Sequence, residues 1–275
     1  MNNIPAYILS EPEADYHARS RSGECLSSHL LNTFRWSPQK YRLRIQGLLP
    51  EPPSEALEFG SAAHCMILEG LEAFNARYVV SDGPTNPKTG LPYGTATKAY
   101  QEWKAEQEGD VVSSVDFGRI HDMAQAVRRH PVASALLSPG RYIPEAVIRT
   151  PMDDSLCQIR MDAYLDNGDI VDLKTTCDLA GFFWDIARPG YDYVYQAAFY
   201  RSVLRVASGK TGHFYFVAVE KQYPYTVGVW HMSPDVLDQA EGDNAVKMRA
   251  LADCRKKDVW PSGYEDLREY DKMLF

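Results

Sequence analysis

Apolar positions along this chain change their period partway through. In the first third they recur every three or four residues, the spacing that gives a helix one apolar face. Ser27 or Ser28 caps a helix through Leu30, Leu31 and Phe34, and Ser37-Pro38 restarts one through Tyr41 and Ile45. After a proline-rich break at Pro50, Pro52 and Pro53, a further helix carries Leu57, Ala62, Ala63, Met66 and Ile67. Helices are predicted again over Lys98–Gln107 and Asp116–Arg129. Ahead of them, Ser81–Thr97 holds three prolines, three glycines and few apolar residues. That composition predicts a mobile loop, long enough to be functional.

From about residue 142 the period falls to two, as in strands. Strands are predicted over Tyr142–Thr150, Leu156–Leu165 and Asp169–Thr175. A helical block, Leu179–Ala187, ends at Arg188-Pro189-Gly190, and an amphipathic helix follows over Tyr193–Val206. Two more strands, His213–Glu220 and Tyr225–Met232, form a hairpin around Gln222-Tyr223-Pro224. A helix capped by Ser233 extends toward Lys257, and a short C-terminal helix closes the chain. There is no internal repeat and no low-complexity segment. Helices feeding a mixed central sheet, with helices returning after it, make an α/β pattern. A single domain is expected over 1–275, with a mainly helical part over 1–140 and a sheet-centred part over 141–275.

Composition narrows the function. The chain has 275 residues and a net charge of −8, values of an ordinary globular protein able to bury a sizeable core. No apolar run reaches the length of a membrane span, and Met-Asn-Asn-Ile-Pro lacks the pattern of a signal peptide. The five cysteines are scattered with no C-x-x-C pair. That spacing argues against zinc or iron–sulfur sites and fits reduced thiols in a cytoplasm. The negative charge excludes a simple basic nucleic-acid binder, but not a nuclease with one local basic channel. The basic groups Arg35/Lys40/Arg42/Arg44, Arg128-Arg129 and Arg255-Lys256-Lys257 each read as solvated helix faces.

The richest chemistry lies between Asp162 and Lys174. Asn167-Gly168 is a hairpin turn signal between two apolar runs. Asp172 and Lys174 are two apart on the second strand, so they share a face and Leu173 points away. A two-residue loop would put Asp162 and Asp172 on opposite faces. A three-residue loop, Asp166-Asn167-Gly168 with Gly168 left-handed, pairs Asp162 directly with Asp172. Two carboxylates roughly 5 Å apart destabilise a sheet unless something neutralises them. A divalent cation would, and a hard-ligand site of this kind suits Mg²⁺ or Mn²⁺. With a lysine beside it, the chemistry is phosphodiester hydrolysis. The alternative is an edge hairpin with solvated Asp and Lys.

Other residues bear on the same site. His64 follows Gly60 on one side of a helix whose small residues, Gly60-Ser61-Ala62-Ala63, permit close packing. It reads as a metal ligand, a phosphate contact or a boundary histidine. Glu145 enters an apolar strand and either completes a metal shell or sits at a strand edge. Gln196 and Tyr200, four apart, share a helix face. Arg160, two before Asp162, would lie opposite Lys174 in the bulged register, which is unfavourable unless an anion sits between them.

Together these pieces resemble the PD-(D/E)xK nuclease superfamily, and more closely its exonuclease VIII (RecE-type) branch within the RecB-like group. The matching positions are Gly60 and His64 in EFGSAAHCMILEG, Glu145 in PEAVIR, Asp162 in QIRMDAYLD, Asp172 and Lys174 in IVDLKTT, and Gln196 and Tyr200 in YQAAFY. LSSHLLNTFRWSPQKY and VWPSGY also look like that branch. Asp162 is not part of a "PD" dipeptide, and the cluster cysteines of some RecB-like relatives are absent. The resemblance implies a restriction-endonuclease-like core and a Mg²⁺-dependent (Mn²⁺ may replace it) 5′→3′ exonuclease on ends of double-stranded DNA. It implies His64, Glu145, Asp162, Asp172 and the Leu173 carbonyl as metal ligands. Lys174 would act as base or electrostatic stabiliser, and Gln196 and Tyr200 as supporting or DNA contacts. It further implies a cytoplasmic protein of a bacterium or phage-infected cell, a single-strand annealing partner, and a homo-oligomeric ring, with a tetramer favoured. The alternatives are a repair or defence endonuclease of the same fold and a non-catalytic DNA-binding or assembly module.

Overall fold

The computed structural model describes residues 4–9, 11–50, 54–267 and 269. Its centre is a five-stranded mixed sheet in the order β3 (Tyr142–Met152), β4 (Ser155–Leu165), β5 (Ile170–Thr176), β6 (Phe214–Glu220) and β7 (Val227–His231). Neighbours are antiparallel except β5 and β6, which run parallel. The parallel pair requires a crossover. It is made by α9 (Leu179–Asp185) and α10 (Tyr193–Ser208). This is an α/β fold with helices on both faces of the sheet.

Each face has its own core. One face packs Ala146, Ile148, Ile159, Ile170 and Phe216 against α2 (Ser28–Trp36), α10 and α11 (Pro234–Lys257). The other packs Ala163, Val171, Leu173, Val217 and Val219 against α4 (Glu55–His64) and α7 (Ser114–Arg129). Burial on both faces explains why β6 reads as a nearly continuous apolar run.

Local signals place most helices. Ser27, Ser37 and Ser113 accept backbone N–H groups at the starts of α2, α3 (Pro38–Ile45) and α7. Ser233 stands at the start of α11 without a side-chain cap bond, and Pro234 supplies the fixed φ there instead. The helix expected to run through Ile67 changes character after His64. Cys65–Glu69 forms a π-helical turn that ends at Gly70, φ +91°. The block predicted to reach Ala187 stops at Asp185.

Several elements were not expected: α1 (Glu13–Arg21), α5 (Leu71–Arg77), α8 (Pro131–Leu136), and a two-stranded parallel pair, β1 (Tyr78–Val80) with β2 (Asp110–Val112). β1 and β2 bracket α6 (Lys98–Ala105) and segment 81–97, which carries no helix or strand and folds on itself through a Thr85–Pro92 bridge. The expected C-terminal helix falls mainly on residues outside those described, and 258–267 form none.

Candidate metal centre and reaction site

The β4–β5 turn fixes the first carboxylate. The ladder pairs Tyr164 with Ile170 and Ala163 with Val171, and Gly168 has φ +95°. Leu165 N–H donates to the Asp169 carbonyl, and Gly168 N–H to that of Leu165, both at 2.9 Å. This is the three-residue loop, and its register carried one step further sets Asp162 across from Asp172. The ladder stops there. Hydrogen-bonded pairs alternate, so the next after Ala163–Val171 would join Leu173 to Met161. Instead Leu173 N–H donates to Asp162 Oδ2 at 2.7 Å. The strands part at this point, and a side chain takes the place of a backbone acceptor. The carbonyl of Leu173 lies on the same strand edge as its N–H, so it too faces the opening.

A second distortion matches the first. The β3–β4 register is the same on either side of one missing pair, with Pro144 opposite Ala163 and Ala146 opposite Met161, which sets Glu145 across from Asp162. Along β4, Ile159 and Met161 face one core while Ala163 and Leu165 face the other. Along β3, Ile143 and then Ala146 and Ile148 face the first core. Strict alternation would forbid both patterns. Each strand changes phase at its carboxylate, and Glu145 absorbs the change with φ +52°. Left-handed backbone in a non-glycine residue within a strand is costly and concentrates at functional sites.

His64 completes the group. Gly60 turns its bare Cα toward Thr175, whose Oγ1 would lie 3.9 Å from an added Cβ, and Ala62 and Ala63 are fully buried. The helix therefore sits close to β5 and delivers His64 at its end. His64 Nδ1 is 3.5 Å from Asp162 Oδ2. One ligand atom each from His64, Glu145 and Asp162 lies within 4.8 Å of the others.

Asp172 and Lys174 lie alongside rather than inside this trio. Asp172 is 2% exposed. Its Oδ1 contacts the Lys174 ammonium, and its Oδ2 accepts Gln196 Nε2 at 3.0 Å. Lys174 Nζ also stands 4.9 Å from the centre of the Tyr193 ring. Tyr200, 7% exposed, forms part of the adjoining wall. The anticipated clash between Arg160 and Lys174 does not arise, because the strands have parted. Arg160 Nε binds Glu145 at 2.7 Å and its Nη1 binds Glu13 at 3.0 Å, while Lys174 is held by Asp172. The structure thus groups His64, Glu145 and Asp162, and sets Asp172, engaged by Lys174 and Gln196, beside them rather than among them. Sequence reasoning missed Glu13, Tyr16 and Tyr193. The first two stand on α1, which has no apolar periodicity, and Tyr193 was indistinguishable among 17 tyrosines.

The electrostatics are those of a buried carboxylate cluster. Burial, then the neighbouring Asp162 charge, raises the Glu145 carboxyl above its ordinary range. Burial raises Asp162 as well, against Lys174 and the Leu173 N–H. Asp172 is pushed up to about 6 by burial, with Lys174 opposing and Asp162 reinforcing. Burial and then the Lys174 charge push the His64 imidazole down to about 4. The neutral imidazole is the form that ligates metals. For Lys174, burial works downward but Asp172 and Asp162 outweigh it, so the ammonium is stabilised. Two carboxylates, a neutral imidazole and a carbonyl fit a divalent cation of the oxygen-preferring kind. Around the trio is a cleft of about 720 Å³ that also takes in Glu13, Glu69 and Asp110.

A family model described as "PDDEXK-like domain of unknown function (DUF3799)" matches residues 27–270. No curated protein matches the chain. Among solved structures, one from Eubacterium rectale named "Putative exonuclease" is similar over 97% of each chain, with 15% identity and a TM-score of 0.67. At that identity the likeness speaks to the fold.

Proposed function

The chain belongs to this PDDEXK-like family, and from that premise we propose that it is a Mg²⁺-dependent 5′→3′ exodeoxyribonuclease that digests linear duplex DNA from its ends. The observation that carries a hydrolytic reading is the parting of β4 and β5, where Asp162, Glu145 and His64 converge beside the Asp172–Lys174 pair. The polarity and the duplex substrate rest on the sequence resemblance to exonuclease VIII.

His64, Glu145, Asp162 and the Leu173 carbonyl would hold the cation, with Asp172 joining them as its Lys174 contact exchanges. When bound, such an ion neutralises the clustered carboxylates and polarises a phosphoryl oxygen. The protein's own groups do the rest. Lys174, kept charged, donates to a phosphate oxygen or to the attacking water. Gln196 fixes the rotamer of Asp172, and Tyr193 fixes the lysine. Water gives up a proton as it adds to phosphorus, the bond to the 3′ oxygen breaks, and that oxygen takes up a proton. The product is a 5′-phosphorylated nucleotide.

The test is release of acid-soluble nucleotide from linear DNA, compared with a covalently closed circle, with and without Mg²⁺. Loss of linear DNA alone, beginning at the 5′ label, is the expected result. Cutting of the circle would point to a repair or defence endonuclease. No cutting of either would leave a non-catalytic DNA-binding module.

A further inference from the structure

Asp192 breaks two local rules at once. It stands at the start of α10, where an aspartate ordinarily takes extended backbone and gives its carboxylate to N–H groups of the first turn. Here its backbone is left-handed, φ +56° and ψ +29°, and its side chain accepts none of those N–H groups. A non-glycine residue held in that region is costly and persists only where its surroundings fix it. Asp192 is 3% exposed, and part of those surroundings comes from α2. Its Oδ2 accepts the Trp36 indole N–H at 2.5 Å, and its carbonyl accepts Asn32 Nδ2 at 3.5 Å. The same carbonyl accepts the N–H groups of Tyr195 and Gln196, both at 3.1 Å. Its own N–H donates to the Arg188 carbonyl at 3.1 Å. One residue thus joins α2, the turn before α10 and the first turn of α10 itself.

That first turn carries the groups that steady the reacting pair. Tyr193 follows Asp192 directly, and its ring centre is 4.9 Å from Lys174 Nζ. Gln196, about one turn on, donates to Asp172 Oδ2 at 3.0 Å. α9 and the turn over 186–192 separate β5 from α10, so connectivity alone leaves the rotation of α10 about its axis open. A side-chain hydrogen bond weakens steeply when its donor swings off line. A glycine would take the left-handed turn without strain; what the aspartate adds is the tie to α2. We infer that Asp192 is a positioning residue for the reaction: bonded to Trp36, it sets the rotation of α10 that holds Gln196 on Asp172 and Tyr193 on Lys174. Its effect on turnover rests on the nuclease reading above, whereas its effect on Gln196 does not.

Three variants test it, read by steady-state hydrolysis of linear DNA with Mg²⁺ and by the side-chain amide resonances of Gln196 in the metal-free protein. Asp192→Gly keeps the left-handed turn and removes the carboxylate. Trp36→Phe removes the donor and leaves Asp192 intact. Asp192→Asn keeps an acceptor and tolerates the turn. The first two should lower kcat about tenfold with KM unchanged, because they disturb groups acting on Asp172 and Lys174 rather than the grip on substrate. In both, the Gln196 amide protons should move toward the positions of a solvated amide. Asp192→Asn should restore most of the turnover and the wild-type resonances. Should Asp192→Gly fold poorly, Trp36→Phe breaks the same bond from a half-exposed position. A lower melting temperature with kcat and Gln196 unmoved would make Asp192 merely structural and overturn the inference. If wild type hydrolyses DNA and both variants keep kcat and the Gln196 resonances, the positioning role fails and the nuclease stands. If Gln196 moves in both variants but no metal supports hydrolysis by wild type, the positioning of Gln196 stands and the nuclease reading fails.

Discussion

Lys174 and the carboxylates around it have separable tasks. Lys174→Ala should lower hydrolysis at least about 10²-fold, the scale for losing one group that stabilises developing charge. It should still bind Mn²⁺, because the lysine is not a ligand. Asp162→Ala should lose most metal binding, since Asp162 alone touches both His64 and the Leu173 amide. Calorimetric titration with Mn²⁺ beside an activity assay separates the two, and near-normal turnover of either variant would refute the assignment. The raised carboxylates also set a pH dependence. Glu145, pushed up to about 8, and Asp172, to about 6, must give up protons for a cation to bind. Mn²⁺ affinity should therefore rise between pH 6 and 8, with proton release visible as a buffer-dependent binding enthalpy. Metal-free stability should move oppositely, falling as pH rises from about 4 through these pKa values, because the folded state keeps protons the unfolded chain has lost. His64, pushed down to about 4, has the reverse sign. Its contribution is lost as pH falls from 6.5, so chemical melts below that pH should show the two effects opposing. Asp162, Asp172 and Lys174 were legible because a local turn sets their register. The bond between Glu145 and Arg160 was not, since it depends on a phase change that alternation cannot foresee.

At the scale of elements, the hairpin depends on a neighbour. A Cβ on Gly212 would lie 1.9 Å from the Gly168 carbonyl oxygen. The entry to β6 and the β4–β5 turn are thus packed backbone to backbone. Gly212→Ala should destabilise by about 2–4 kcal/mol, in the range of strain and overpacking mutations. A thermal melt would show it, with metal binding restored at low temperature. A melt like wild type would mean the turn is not braced by this contact. The strands and long helices were readable because their periods and caps are local signals. α1 was not, because its anchors lie far along the chain. Gln158 Nε2 donates to the Tyr16 carbonyl at 2.9 Å, and Arg160 holds Glu13. The π-helical turn after His64 and the three-residue strands β1 and β2 lack any periodic signature at all.

The whole molecule is acidic, with a net charge of −8, yet the proposed substrate is a polyanion. Binding through a few phosphate contacts falls steeply with salt, so a lone subunit would dissociate often. The basic residues near the ends of helices do not supply one large patch. Arg35 stacks on Tyr195, Arg42 on Trp260, and Arg255 binds Tyr41. A ring would retain DNA by topology, with each subunit contributing a few cations to the bore and an acidic rim facing solvent. We therefore predict a homo-oligomer, a tetramer in the first instance, whose digestion of a long duplex survives excess competitor DNA added after loading. Light scattering at monomer mass, with distributive digestion under that challenge, would remove the ring. An annealing protein as partner is a matter for the same assays run with and without it.

The parting of β4 and β5 has a spectroscopic consequence. Leu173 is fully buried, yet its amide is held by a carboxylate that is itself at the metal trio. A ladder acceptor remote from the site would not respond to added cations, whereas the Asp162 carboxylate would. The nitrogen and proton resonances of Leu173 should therefore shift, and its hydrogen exchange change, as metal is added. The amide of Val171, which lies in the ladder opposite Ala163, should stay where it is. One amide in the centre of the sheet would then read the occupancy of the site without any substrate present.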